Sequence, residues 1–265
     1  MSDIQIDPPV VAAILFVFGA VFGSFANVVI YRMPLGKSVV KPGSACQACG
    51  KPVKWYNNVP IFAWFWLRGR CASCGAKFSI RYPMVELTVA ILFALAGYRL
   101  GISWFTLEAL YFIFALVTVS VIDLDHMILP DKFTISGVAI GLAGAALNPE
   151  REFMQALYGA LAGFGFLWAV AYAYYLIRKK EGMGGGDIKL LAWIGAVLGW
   201  HSIPFVILVS TLIGSVIGGI LSTRTKDGMS YAIPFGPFLA GAALIYLLFD
   251  GERMVGWYLA LHGLQ

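Results

Sequence analysis

The sequence predicts an all-α polytopic membrane protein of about eight transmembrane helices, with a cytoplasmic cysteine-bearing module between the first and the second. Three observations carry this prediction. The chain has 265 residues, of which 60% are hydrophobic and only 12% charged, against about 25% charged in a typical soluble domain. Its mean hydropathy is +0.80, more apolar surface than a soluble fold of this size can bury. Its one long polar segment carries two Cys-x-x-Cys pairs. Disorder is excluded by the same composition, because 15% of the residues are aromatic and disordered chains are poor in them.

A spanning helix needs about 20 mostly apolar residues. Such stretches lie at 10–31, 84–100, 104–122, 131–148, 155–177, 187–202, 203–222 and 232–249. The first follows Met1–Pro9, which holds Asp3 and Asp7 and no basic residue. That is the wrong charge for a cleaved signal peptide, so the stretch is expected to stay in the mature protein. The sixth is the weakest, opening on Asp187 and Lys189 and stopping near Trp200, His201 and Pro204. Glycines within the spans (Gly159, Gly163 and Gly165; Gly214, Gly218 and Gly219) are expected to let helices approach closely.

The basic residues orient the set. With the first span ending in the cytoplasm, the cytoplasmic segments hold 16 Lys and Arg, and the opposite side only Arg99, Arg151 and Arg253. The positive-inside rule asks for that asymmetry. The formal net charge of +5 therefore reports topology, no nucleic-acid partner is expected, and both termini face away from the cytoplasm. The organisation is a first transmembrane helix (1–31), a cytoplasmic module (32–83) and a seven-helix membrane domain (84–265).

The module contains Cys46-Gln47-Ala48-Cys49 and Cys71-Ala72-Ser73-Cys74, each followed by glycine, Gly50 and Gly75. Two intervening residues let both sulfurs of a tight turn point at one ion, and two such turns complete a tetrahedron around zinc. Two disulfides are the competing reading, but structural disulfides are rare in a reducing compartment. Cys46, Cys49, Cys71 and Cys74 are thus the expected ligands of a zinc-knuckle module. Four thiolates leave no site for water, so the metal is structural and supplies folding energy to a segment with little core. Trp55, Tyr56, Phe62, Trp64, Phe65 and Trp66 lie between the knuckles; packing around the metal and dipping into the headgroup region both fit them.

Ionisable groups at membrane depth are costly and mark function. Asp123 follows the apolar run 109–122, and Asp187 opens the sixth span. Both fall on the cytoplasmic side, so they can meet although 64 positions apart. Two carboxylates brought close share a proton. One then acts as general base on water while the other, protonated, polarises a carbonyl, which is peptide hydrolysis without a covalent intermediate. Asp187 follows 182-GMGGG-186, a track that permits positive φ and leaves room for a substrate backbone. Asp125 ranks as supporting, because two residues along a helix turn it about 200° from Asp123. Helix capping is the alternative role for Asp187. His126, His201 and His262 lie in different loops, and Ser24 has no evident base.

With these residues the chain resembles the bacterial type IV prepilin leader peptidase family of inner-membrane enzymes. The resemblance rests on 23-GSFANVVIYRMP-34, the two knuckles, 68-RGRCASCG-75, 81-RYPMVEL-87, 122-IDLDHMILPD-131 and 184-GGGDIKLLA-192, the last matching a G-x-G-D signature. It implies an aspartyl protease in 84–265 that removes a basic leader from prepilins or pseudopilins at the cytoplasmic face. It also implies N-methylation of the new terminus with S-adenosylmethionine. The catalytic pair carries over onto Asp123 and Asp187, with Gly184, Gly186 and Lys189 supporting, and the zinc ligands onto the four cysteines. Asn27, Arg81, Tyr82, Pro83 and Glu86 fall in the region of methyl transfer. Relatives often have proline in the first knuckle where this chain has Gln47-Ala48, which leaves the thiolate spacing intact. A zinc-bearing scaffold of a secretion machine and a proton-coupled transporter are the alternatives; candidates at one face only speak against transport.

Overall fold

The structure is a computed structural model that describes residues 7–180, 182–224, 233–251, 253, 254 and 256. Lys226, His262 and Ala232, the start of the eighth expected span, lie outside the described residues. Nine α-helices occur among those described: α1 Pro8–Arg32, α2 Phe62–Trp66, α3 Arg81–Leu100, α4 Trp104–His126, α5 Asp131–Leu147, α6 Phe153–Arg178, α7 Gly185–Leu198, α8 Ser202–Arg224 and α9 Gly236–Leu248. A 3₁₀ turn covers Trp55–Asn58, and two isolated β-bridges pair Ala45 with Pro52 and Arg70 with Lys77. All helices but α2 lie at the eight expected places. Five are long and apolar enough to cross a membrane: α1, α3, α4, α6 and α8. The chain is a membrane protein.

The helix ends follow local chemistry. Pro8 and Pro9 open α1, where their missing N–H groups cost nothing. Ser103 Oγ accepts the Thr106 N–H at 3.1 Å and caps the start of α4. Gly199, at φ +79°, stops α7 four residues earlier than expected.

The chain divides within α4, between Thr118 and Val119, into two compact units. In the first, α1 packs along α3. A β-carbon on Gly19 would stand 2.7 Å from Ala90 Cα, and one on Gly23 2.6 Å from Glu86 Cα, so glycine sets this helix separation. Phe114 of α4 meets Phe22 edge-on at 5.9 Å and stacks on Phe25 at 6.0 Å.

In the second unit, α7 is the centre, contacted by α5, α6, α8 and α9. Every residue from Leu190 to Val197 is buried, as expected for a helix apolar all round. At 14 residues it measures about 21 Å, short of the roughly 30 Å hydrocarbon core. The backbones of α6 and α7 touch at Gly159 and Gly195, where an added β-carbon would lie 2.1 Å from the opposite carbonyl oxygen. Arg151 donates from Nη2 to the carbonyls of Ala196 (3.0 Å) and Val197 (2.7 Å). It satisfies carbonyls that the helix end leaves without partners. Arg151→Met should therefore lower stability by about 1–3 kcal/mol, read as a lower thermal midpoint in detergent.

Candidate active site and metal centre

Asp123 sits in the last turn of α4, which runs four residues beyond the expected span end. It is only 5% exposed, whereas Asp125 is exposed, in line with the turn of the helix between them. The first N–H of α9, from Gly236, donates to Asp123 Oδ2 at 3.1 Å. Met127 then takes a left-handed φ of +53° and donates its N–H to the Asp123 carbonyl at 2.8 Å, reversing the chain. That reversal delivers Leu129 beneath the site.

Asp187 lies in the first turn of α7. Leu129 lies against Gly186, the residue before Asp187, and against Gly236, which bonds Asp123, so the structure brings together the two carboxylates that the sequence singles out. Asp187 Oδ1 is buried without a hydrogen-bond partner. Lys189 Nζ bonds Asp131 Oδ1 at 2.6 Å, tying α7 to the start of α5.

The glycine track has two different parts, and none of Gly184, Gly185 and Gly186 takes the positive φ that its composition permits. A β-carbon on Gly182 would overlap the Tyr174 ring at 2.3 Å, and one on Gly186 would meet Leu129 Cβ at 2.8 Å. Those two glycines serve internal packing. Gly184 is extended (φ −70°, ψ 137°); a β-carbon there would meet only Asp187 Oδ2, at 3.9 Å, and one on Gly185 nothing within 4 Å. The open side of the track is thus beside Asp187.

Sequence reasoning missed Gly236 and Leu129. A β-carbon on Gly236 would stand 2.6 Å from Asp123 Oδ2 and 3.1 Å from Leu129 Cδ2. The signals were a glycine between Phe235 and Pro237 at the start of an expected span and, for Leu129, its place within 122-IDLDHMILPD-131. Gly236→Ala should displace the Asp123 carboxylate and lower cleavage by about 10²-fold, since a shift near 1 Å at a reacting group costs that much. Gly185→Ala, placed in open space, should retain activity; release of peptide from a substrate, measured for both variants, checks the pair.

The two knuckles repeat one backbone pattern. Cys46 N–H bonds Lys51 O at 3.0 Å and Gly50 N–H bonds Cys46 O at 2.8 Å; the Cys71–Ala76 and Gly75–Cys71 bonds repeat this at 2.8 and 2.9 Å. Gly50 and Gly75 take φ +70° and +74°, a region open to glycine. All four sulfurs lie within 4.8 Å of one another, and Cys46 and Cys74 Sγ are 3.8 Å apart. A disulfide needs about 2.0 Å, whereas a Zn–S bond of about 2.3 Å gives a tetrahedral edge near 3.8 Å. The N–H groups of Cys49 and Ala48 pull the Cys46 thiol down to about 7. The Ala76 N–H favours the Cys74 thiolate, but Cys49, Cys71 and Cys46 outweigh it and push that thiol to about 11. Four sulfurs so crowded do not all shed protons without a cation between them.

At the base of the module, Asn27 Nδ2 donates to Tyr82 O at 3.0 Å, and Gln47 Nε2 to the Tyr82 hydroxyl at 3.0 Å. Glu86 Oε2 accepts the Ile61 N–H at 2.6 Å, and its carboxylate also bonds Ser24. Ser24 therefore does face a carboxylate, but one buried and engaged elsewhere. Ile61 is held at φ +65°, unusual for a β-branched residue. Asn27, Tyr82 and Glu86 thus come together as a latch between α1, α3 and the module, and Arg81 opens α3 beside them.

Comparison with known proteins identifies the family. Residues 17–100 match the Bacterial Peptidase A24 N-terminal domain, and residues 109–219 the Type IV leader peptidase family. The chain is 38% identical over 273 residues to the prepilin leader peptidase/N-methyltransferase of Aeromonas salmonicida (94% of each chain). It is 39% identical over 271 residues to that of Aeromonas hydrophila (93% of each). It is 35% identical over 285 residues to that of Neisseria gonorrhoeae (98% of each). No solved structure matches the chain.

Proposed function

Because the chain belongs to the type IV leader peptidase family, we infer that it is a prepilin leader peptidase and N-methyltransferase. It cuts the basic leader from prepilins or pseudopilins at the cytoplasmic face of the bacterial inner membrane, then methylates the exposed N-terminus with S-adenosylmethionine. On this reading the chain crosses the membrane eight times and both termini lie on the non-cytoplasmic side. The observation that carries the protease reading is the meeting of Asp123 and Asp187, with one Asp187 oxygen buried and unpartnered beside an open glycine position.

One carboxylate of the pair takes a proton from water as that water attacks the scissile carbonyl carbon. The other, protonated, hydrogen-bonds the carbonyl oxygen and stabilises the charge that develops on it. Proton delivery to the leaving nitrogen then breaks the C–N bond. Gly184 leaves room for an extended substrate backbone, while Leu129, Gly236 and the Lys189–Asp131 pair hold the two helix ends that carry the acids.

The cysteine set fits zinc, which supplies a structural crosslink between the knuckles. S-adenosylmethionine supplies the methyl group. The polar atoms of Asn27 and Glu86 already bind Tyr82 O and Ile61 N–H. They fit a latch at the base of the module and not ligands of that donor, so no step of methyl transfer is assigned to them. Mass spectrometry of a prepilin incubated with the enzyme and S-adenosylmethionine tests both activities. A product shortened by its leader and heavier by one methyl group is expected; an uncut prepilin would refute the assignment.

A further inference from the structure

The aromatic residues of the cysteine module do not pack around the metal. Phe62, Phe65 and Trp66 are 63%, 62% and 54% exposed, and Trp55 is 82% exposed. The first three stand at i, i+3 and i+4 on one face of α2, the spacing that puts side chains side by side. The opposite face is used inside the module: Ala63 is buried, and Trp64 covers Gly69 and donates Nε1–H to Phe78 O at 3.3 Å. The 3₁₀ turn bearing Trp55 contacts α2, and Lys54 Nζ lies 5.7 Å from the Tyr56 ring centroid. A soluble surface rarely leaves such a patch open without a partner.

Charge and tethering identify the partner. Residues 32–83 contain nine Lys and Arg and no Asp or Glu. Lys51, Lys54, Arg68 and Arg70, which bracket the aromatic face in sequence, are all exposed. Topology accounts for the sign of these charges but not for three adjacent exposed rings on one helix face. Both ends of the module continue directly into membrane-crossing helices, α1 at Arg32 and α3 at Arg81, so the module is held at the bilayer surface. Aromatic side chains at headgroup depth with basic residues beside them are the composition of an interfacial anchor. We propose that the Phe62–Phe65–Trp66 face, with Trp55, seats the cysteine module on anionic phospholipid of the leaflet from which it emerges. Anionic headgroups attract the exposed Lys51, Lys54, Arg68 and Arg70, and the rings enter the acyl boundary.

The test uses the full-length zinc-loaded protein in nanodiscs of phosphatidylcholine, with and without phosphatidylglycerol. A benzophenone amino acid replaces Phe65, or, as control, the exposed Ser73 of the second knuckle. Zinc content confirms that each variant is folded. Irradiation should give lipid adducts at position 65, several-fold more with phosphatidylglycerol present, reduced in 1 M salt where the screening length is about 3 Å, and few at position 73. Crosslinks from position 65 to protein, to this chain or to a second copy, would overturn the proposal. So would adducts indifferent to phosphatidylglycerol, or equal labelling at both positions. Because none of these readouts is catalytic, the outcome is independent of the protease assignment.

Discussion

Alanine at Asp123 or at Asp187 is expected to reduce leader removal by about 10³-fold or more, the range that a positioned acid–base group supplies. Either change removes a group that no neighbour replaces. Asp125 is exposed two residues on, and the other carboxylate tied into the cluster, Asp131, is bonded to Lys189. The fold should survive, since Asp123 makes one hydrogen bond from a helix N-terminus and Asp187 Oδ1 makes none. The measurement is peptide release from a prepilin by the purified variants, with zinc content as a check on integrity. Zinc should be unchanged, because the cysteines belong to Met1–Thr118 and both aspartates to Val119–Gln265. Cleavage retained in both variants would end the protease mechanism drawn above.

Removing the proposed zinc should have a comparably large effect on the other unit. Structural zinc contributes about 10–16 kcal/mol of apparent binding energy at such sites, more than a segment of this size gains from burial. Its exposed Phe62, Phe65 and Trp66 contribute nothing to a core. Chelation, or Cys71→Ser, should therefore unfold the module and open 32–83 to limited proteolysis. Methylation is expected to fall further than cleavage. A metal-free protein whose module still resists protease would show that the latch of Asn27, Tyr82 and Glu86 holds it without zinc.

Much of this was legible before any coordinates. Helices lie at all the apolar runs the sequence offers, and five of them, α1, α3, α4, α6 and α8, are long enough to span, because that signal depends only on counting. The cysteine spacing foretold the knuckles down to Gly50 and Gly75. The meeting of Asp123 and Asp187 followed from placing both at one membrane face. Other features were hidden for physical reasons. Gly236 and Leu129 matter through contacts between segments about 50 to 110 positions apart (Gly186 to Leu129, Gly236 to Asp123), and periodicity carries no such information. Arg151 read only as a charge on the wrong side, since a helix C-terminus that needs a donor is invisible until its neighbour is placed. The glycine track looked uniform, yet Gly182 and Gly186 abut side chains closely, while Gly184 meets only Asp187 Oδ2 at 3.9 Å and Gly185 nothing within 4 Å.

The shortness of α7 bears on how the protein is made. A segment of 14 residues is a poor stop signal when it leaves the ribosome, because it cannot fill the hydrocarbon layer alone. Its lateral surface is also matched to protein and not to lipid. Biogenesis must therefore hold α6 at the insertion site until α7 and α8 have emerged, and release the three as a group. Chains truncated just after Leu198 should then fail to integrate that segment, although Leu190 to Leu198 carries no charged residue.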